Sequence, residues 1–171
     1  MHPSFRVLAW TLADAGSLPG ISVAVGGKAV TVIEAFRFEL GGGVWLDRTA
    51  TLASPPGAGA HVGLATGSAG GCWSFLGPGR FELGPCVAFE LGRLHAEGFG
   101  VTSQGSGSAL WSALQGGGLF AWSAVSRLAV VARLDAAVPF ARPTFVLEGL
   151  GAAFRTSPVV GRATLGLEVR F

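Results

Sequence analysis

The sequence is apolar on average, yet its apolar residues nowhere form one long segment. Half of the 171 residues are hydrophobic, only 13% are charged, and the mean hydropathy is +0.54. An average soluble protein has roughly a quarter of its residues charged, so this composition favours a membrane protein. A transmembrane helix needs about 18 consecutive apolar residues, and no such run free of glycine and polar residues occurs. Hydrophobicity spread over short segments, together with 28 glycines, instead favours a barrel of membrane-spanning strands.

The end of the chain shows the alternation of such a strand most clearly. Residues 163–171 (ATLGLEVRF) have apolar side chains at every odd position, and Thr164, Gly166, Glu168 and Arg170 at the even positions. Because side chains of a strand point alternately to its two faces, one face of this segment is apolar and the other is polar.

Similar patterns predict seven more strands. The eight predicted strands comprise residues 5–13, 21–26, 30–46, 60–75, 80–97, 109–122, 127–140 and 163–171. Residues 7–13 also resemble the apolar part of a signal peptide, but Asp14 would then lie inside the cleavage site. We therefore expect a strand there, and a targeting sequence that was removed or lies upstream. Glu34 falls on the apolar face of the third strand, which indicates a bulge or a position near the membrane interface.

The connections between the predicted strands alternate in length. After a first loop of medium size, short turns at residues 26–28, 76–79 and 123–126 alternate with long loops at residues 48–59, 98–108 and 141–161. Short turns on one side and long loops on the other are typical of membrane barrels built from hairpins. We therefore predict an all-β single domain over residues 1–171, an eight-stranded antiparallel up-and-down transmembrane β-barrel. A soluble, lipocalin-like barrel is the alternative.

Aromatic residues cluster near the predicted strand ends. Those near short turns or the C-terminus are Trp73, Phe75, Phe81, Trp122 and Phe171, and those near long loops are Trp45, Phe99 and Phe140. This distribution predicts two aromatic belts at the two membrane–water interfaces, although the chain lacks the tyrosines common in such belts.

Charged residues share a face with glycine and alanine in the best-defined strands. An eight-stranded barrel leaves an interior just wide enough for side chains, so this face suits the inside. The charged residues predicted to face the interior are Arg37, Glu39, Glu82, Glu90, Arg133, Asp135, Glu168 and Arg170. Because charges away from water must be paired, we expect a salt-bridged plug rather than a charge-lined channel.

The two cysteines are placed symmetrically about a turn. Cys72 and Cys86 lie equally far from Gly79, between the fourth and fifth strands. Residues directly opposite each other on neighbouring strands have Cβ atoms about 4.5–5.5 Å apart, and small adjustments then allow a bridge. We expect a disulfide in an oxidising compartment, with two buried free thiols as the alternative.

Few residues suggest catalysis, and none suggests a metal or a cofactor. Thr66 occupies the first glycine position of a G-x-S-x-G motif, and no helix follows. The one hydrolase-like set consists of His95, Glu97 and the loop serines Ser103, Ser106 and Ser108. Solvated polar residues are more common at such a rim, so we expect no enzyme. The net charge of +2 with scattered arginines and lysines predicts no nucleic-acid partner.

Several stretches resemble a known group of proteins. These are RFELGPCVAFELGRLHAEGFGV, SGSALW, RLAVVARLDAAVPFARPTFVLEGLG and ATLGLEVRF, all within residues 80–171. They are similar to small outer-membrane β-barrel proteins of Gram-negative bacteria, most of all to barrels found in myxobacteria. Thr164, Gly166, Val169 and Phe171 also match the polar-x-Gly-x-x-apolar-x-aromatic pattern of the terminal strand in these barrels.

The resemblance implies a location and a route of assembly. It implies export, insertion by the barrel-assembly machinery that reads the terminal strand, and residence in outer-membrane lipid as a monomer. It implies no substrate. We therefore expect a closed barrel with a structural or surface-interaction role through its outer loops. A small pore, an outer-leaflet lipid hydrolase and a soluble ligand-binding barrel are the alternatives.

Overall fold

The structure is a computed structural model that describes residues 3–51, 58–76, 80–100, 106–141, 144–147 and 151–171, with only the backbone described for 144–147 and 151–154. Its strands are β1 (Ser4–Ala15), β2 (Ile21–Ile33), β3 (Phe36–Trp45), β4 (Arg48–Thr51), β5 (Gly59–Trp73), β6 (Phe81–Phe99), β7 (Ser106–Val125), β8 (Leu128–Pro139), β9 (Thr144–Leu147), β10 (Gly151–Arg155) and β11 (Val160–Arg170). In the described residues no helix is both long and apolar enough to cross a membrane.

Eight of these strands close into one antiparallel barrel. Their order around the barrel is β1, β2, β3, β5, β6, β7, β8 and β11, and β1 pairs with β11 to complete the ring. The closing register runs from Arg6 opposite Arg170 to Ala15 opposite Gly161. The predicted all-β, eight-stranded up-and-down barrel is therefore confirmed.

The barrel is taller on one side than on the other. β6 and β7 contain 19 and 20 residues, whereas β1 and β11 contain 12 and 11. At the long-loop end β4 continues the pairing along β5 after β3 has ended. β9 and β10 form a separate hairpin, and β10 contacts β4. The extra height therefore lies on the side of β5, β6 and β7.

The turn between β2 and β3 lies elsewhere than predicted. The sequence placed it at residues 26–28, but β2 continues to Ile33 and the chain turns at Glu34, whose φ is 55°. The glycines at 26 and 43 serve a different purpose, since a Cβ at either position would collide with the indole ring of Trp10. The position of this turn also explains Glu34, which lies in the turn and not on the apolar face of a strand.

The outward face of the barrel carries exposed apolar side chains around its whole circumference. Exposed large apolar side chains occur on every barrel strand, among them Phe38, Leu40, Val87, Phe89, Leu91, Leu134, Leu165 and Leu167. Residues at the alternate positions of the same strands are buried inside the barrel. This is the opposite of a soluble ligand-binding barrel, whose large apolar side chains point inward.

The aromatic residues at the short-turn end are exposed as predicted, but one predicted belt residue is not. Trp73, Phe75, Phe81, Trp122 and Phe171 are between 40% and 80% exposed. Trp45 is only 5% exposed and points into the barrel. That prediction was wrong because it used closeness to a loop, whereas Trp45 lies on the same face of β3 as the buried Arg37 and Glu39.

An aspartate on the outward face is expected to destabilise the barrel. Leu134 is 71% exposed in the middle of β8. A charge facing the bilayer core costs up to ~2–4 kcal/mol for Arg or Lys and less for Asp, so Leu134→Asp should lower the free energy of unfolding within that bound. Urea titration in phospholipid vesicles measures it. Val159→Asp is the control, because Val159 is 57% exposed just outside β11. Equal effects of the two variants would contradict a lipid-facing position for Leu134.

Candidate functional site

A dense network of ion pairs occupies the half of the barrel nearer the short turns. Glu168 is fully buried and accepts hydrogen bonds from Arg6 Nη1 at 3.0 Å and Arg170 Nε at 3.1 Å. Its second oxygen lies 2.5 Å from Arg37 Nη2. Glu82 accepts from Arg6 at 3.1 Å, so each acidic group here faces more than one guanidinium. We call this set the lower network.

The lower network continues to the middle of the barrel through Glu39. This carboxylate accepts from Arg37 Nε at 2.7 Å, from Lys28 Nζ at 2.8 Å and from Arg133 Nη1 at 2.6 Å. Arg133 in turn donates to Asp135 at 2.9 Å. Strands from opposite sides of the barrel are thereby joined, because Glu39 lies on β3 and Arg133 on β8.

A second network surrounds Arg162 toward the long-loop end. Its guanidinium lies 5.1 Å from the ring centre of Trp45 and 6.0 Å from that of Trp111, a cation–π arrangement. Arg162 donates to Asp14 at 2.9 Å and to Glu90 at 2.9 Å. Glu90 also accepts from Trp111 Nε1 and from the Gln115 amide. We call this set the upper network.

The buried ion pairs among the described residues balance in charge. The basic members are Arg6, Lys28, Arg37, Arg133, Arg162 and Arg170, and the acidic members are Asp14, Glu39, Glu82, Glu90, Asp135 and Glu168. Every one of the eight residues predicted to face the interior lies in these networks, and the side chain of each is less than a fifth exposed.

The sequence missed four members of the networks. Arg6 and Asp14 alternate with Val7 and Ala13 in β1, so counting positions in that strand would have found both. Lys28 was placed in a turn that does not exist, and Arg162 lay one residue beyond a loop boundary. Only the three-dimensional pairing of distant strands shows that each meets a carboxylate.

Apolar side chains form two groups inside the barrel. The group toward the long loops consists of Leu12, Leu18, Ala24, Trp45, Ala60, Val62, Leu64, Leu94, Ala96, Trp111, Ala113, Ala137 and Val160. The second group is level with the lower network, with Leu8 opposite Glu168 and Leu119 opposite Arg133, and consists of Leu8, Val30, Cys72, Cys86, Leu119, Ala121 and Val131. Between the networks is a cavity of about 30 Å³, room for about two water molecules.

Cys72 and Cys86 form a disulfide, as the sequence predicted. They lie directly opposite each other on β5 and β6 and are 5% and 7% exposed. The bond faces the interior beside the lower network, and it joins the only two cysteines of the chain.

The residues of the predicted assembly signal fall on both faces of β11. Val169 and Phe171 are exposed, whereas Gly166 is buried and Thr164 is partly buried. A Cβ at Gly166 would approach Leu8 Cδ1 to 2.8 Å. Packing inside the barrel is therefore a sufficient reason for this glycine, whether or not any machinery reads it.

Polar side chains form a patch on the outward face of the taller side, here called the outer rim patch: Asp47, Thr49, His61, Arg93, His95, Glu97, Ser106 and Ser108. His95 Nε2 lies 3.6 Å from Asp47 Oδ1. His61 Nδ1 lies 3.2 Å from Thr49 Oγ1, and its ring stacks on Phe99. Asp47, which the sequence did not suggest, is thus the acid beside His95. Ser103 lies outside the described residues, within which no group of three or more candidate ligands could hold a metal ion.

Comparison with known proteins identifies the fold. No protein-family model matches the sequence, and no curated protein matches it. A major outer membrane protein of Thermus thermophilus is 15% identical, with a TM-score of 0.71 and full coverage of both chains. Ail of Yersinia pestis, solved with the heparin analogue sucrose octasulfate, is 13% identical with a TM-score of 0.59, covering 99% of this chain and 97% of that one.

A third structure has the same architecture. The N-terminal β-barrel domain of Pseudomonas aeruginosa OprF is 18% identical with a TM-score of 0.56, and the match covers 98% of this chain and 97% of that one. At such identities the likeness concerns the fold. The chain therefore has the fold of the bacterial outer-membrane β-barrels.

Proposed function

We propose that this protein is a closed barrel of the outer membrane with a structural or surface-interaction role. The observation that carries the proposal is the balanced set of buried ion pairs that fills the middle of the barrel. A conducting pore would need a continuous wet path past these groups. Water along such a path would have to separate carboxylates and guanidinium groups that now lie about 2.5–3.1 Å apart.

The apolar group toward the long loops supports the same proposal. Trp45, Trp111 and Leu64 close the interior at that end, whereas Leu8 and Leu119 pack beside the lower network, opposite Glu168 and Arg133. All are less than a tenth exposed. The cavity between the networks, about 30 Å³, has room for about two water molecules and forms no bore of its own.

The outer loops are the remaining surface through which such a barrel would act. The interior offers no accessible site among the described residues, whereas the long-loop end carries β4, the β9–β10 hairpin and the extended parts of β6 and β7. We assign the interaction role to this end. The neighbour Ail, solved with a heparin analogue, shows only that a barrel of this fold was solved with a ligand of that kind.

The route of assembly is part of the proposal. A terminal strand with Thr164, Gly166, Val169 and Phe171 suits recognition by the barrel-assembly machinery, and its pairing with β1 completes the ring. The apolar outward face and the low net charge support the further proposal of a monomer surrounded by lipid, without a nucleic-acid partner. The narrower likeness to myxobacterial barrels stays a prediction.

Conductance in planar bilayers tests the closed barrel against a pore. The protein as it stands is expected to give no steady ion-sized current steps, while protease protection in matching vesicles shows that it has inserted. Truncating the inward pair, Trp45→Ala with Trp111→Ala, should raise ion leakage because it removes two buried rings. The outward pair, Trp73→Ala with Trp122→Ala, is the control and should not raise ion leakage. Steady steps from the unaltered protein would overturn the proposal.

A further inference from the structure

The outer rim patch contains an acid, a histidine and a serine side by side. His95 on β6 is directly opposite Ser108 on β7 and opposite Gly63 on β5. Asp47 lies across Gly63, with Oδ1 at 3.6 Å from His95 Nε2. These three polar side chains belong to neither buried network, and all are exposed on the outward side of the wall.

Gly63 makes this contact possible. A Cβ at this position would collide with both the Asp47 carboxylate and the His95 ring. Any other residue would therefore separate the two side chains. The chain leaves β3 at Trp45 and re-enters the sheet as β4 at Arg48, which brings Asp47 above this glycine.

On the side facing β7, His95 is next to Ser108, whose hydroxyl can act as a nucleophile. Residues directly opposite on adjacent strands have Cβ atoms about 4.5–5.5 Å apart, so a rotation of the short Ser108 side chain brings its hydroxyl toward the imidazole. Arg93 Nη2 already donates to Ser108 Oγ at 2.8 Å. A cation beside a nucleophilic oxygen can also stabilise an oxyanion that forms there.

The position of the set relative to the membrane indicates the substrate. Closer to the short turns, the same outward faces of β6 and β7 carry Leu91 and Leu110, 49% and 69% exposed, where the lipid-facing surface begins. Beside them Gly42, Val44 and Ala65 line a shallow depression in the wall. An acyl chain lying there would place its ester group near the row of Asp47, His95 and Ser108.

We propose that Asp47, His95 and Ser108 form a hydrolase site for acyl esters of membrane lipids. The His95 imidazole accepts the proton of the Ser108 hydroxyl while Oγ bonds to the ester carbonyl carbon, and Arg93 stabilises the negative carbonyl oxygen. The ester C–O bond then breaks, and the leaving alcohol takes the proton from His95. His95 then takes a proton from a water molecule whose oxygen bonds to the carbonyl carbon of the acyl-serine. The bond between that carbon and Ser108 Oγ breaks, Oγ takes the proton from His95, and the fatty acid is released. Asp47 orients and stabilises the imidazolium.

Labelling with a fluorophosphonate probe tests the nucleophile directly. The full chain, folded in detergent micelles and checked by heat-modifiable gel migration, should be labelled at Ser108 and should release fatty acid from phosphatidylethanolamine. Ser108→Ala should abolish both labelling and release. Ser106→Ala is the matched control, because Ser106 lies on the same face of β7 but opposite Glu97, and it should keep both.

Two further variants separate catalysis from structure. His95→Ala should lower fatty-acid release by about 10²–10⁴-fold, the range for losing a general base, whereas His61→Ala should leave it unchanged because His61 contacts Thr49 and Phe99 instead. Fatty-acid release by Asp47→Asn should lie between the values for His95→Ala and His61→Ala. Absence of labelling and release in the unaltered protein, or unchanged release after Ser108→Ala, overturns the proposal. Conductance does not enter these assays, so the closed barrel and the hydrolase site are judged separately.

Discussion

Glu168→Ala is expected to lower the free energy of unfolding by about 3–5 kcal/mol, the usual cost of removing one partner from a buried ion pair. Glu168 is fully buried and faces Arg6, Arg37 and Arg170. Its removal leaves the interior with an excess of positive charge. Glu39 and Glu82 still contact the three guanidinium groups, but both are already shared among several cations, so one buried positive charge stays uncompensated.

Unfolding in urea, followed by tryptophan fluorescence in phospholipid vesicles, measures this loss. Glu97→Ala is the matched control, since Glu97 carries the same charge on the exposed outward face of β6, and surface substitutions usually change stability within about 0.5 kcal/mol. Glu168→Gln keeps the shape of the side chain and removes only its charge. It should therefore lower the free energy of unfolding by about as much as Glu168→Ala does. If Glu168→Ala and Glu97→Ala lower the free energy of unfolding equally, the interior is hydrated and the networks contribute little to stability.

Replacing both cysteines by serine is expected to cost about 3 kcal/mol and to reduce the fraction of chains that reach the native barrel. The estimate follows from the entropy of a closed loop of ~15 residues, and the two cysteines are 14 residues apart. The effect on yield has a separate reason in β5. Its sequence GAHVGLATGSAGGCW offers small residues to both faces between Ala65 and Gly71, so a one-residue slip changes little of the packing and the register is weakly specified.

The disulfide removes that ambiguity because it fixes Cys72 opposite Cys86 and hence the whole β5–β6 register. Refolding from urea into vesicles with and without reductant measures the effect, with heat-modifiable migration as the readout of native barrel. The double variant Cys72→Ser with Cys86→Ser should refold equally poorly under both conditions. If the unaltered protein refolds as well in reductant as without it, the bond does not set the register.

Strands with large apolar side chains on one face could be predicted from the sequence. β6, β8 and β11 alternate clearly between Leu, Val or Phe and small or charged residues. The prediction failed between β2 and β3 because a Gly-Gly-Lys segment is typical of a turn. Here the glycines make room for the Trp10 ring, a contact made with residues on another strand that local sequence does not show.

Local sequence does not show contacts between distant strands, so the buried networks could be predicted only in part and the Asp47–His95 contact could not be predicted at all. The side of each strand that carries charge follows from alternation, which is why Glu39, Glu90 and Arg133 could be placed inside. Their partners could not be assigned, because Arg162 and Glu90 are 72 positions apart and meet only when the ring closes. The Asp47–His95 contact depends on the path of the chain between β3 and β4, for which the sequence contains no regular pattern.

Because its strands differ in height, the barrel has a tall flank and a short flank and is asymmetric when viewed along the membrane normal. β7 begins at Ser106, but its pairing with β8 starts only at Ala113, opposite Pro139. At about 3.3 Å per residue, the wall on this flank rises on the order of 20 Å above the neighbouring strand. The tall and short flanks of the barrel therefore present different surfaces to molecules that diffuse in the outer leaflet. A molecule that approaches the tall flank contacts the outer rim patch without passing over the mouth of the barrel.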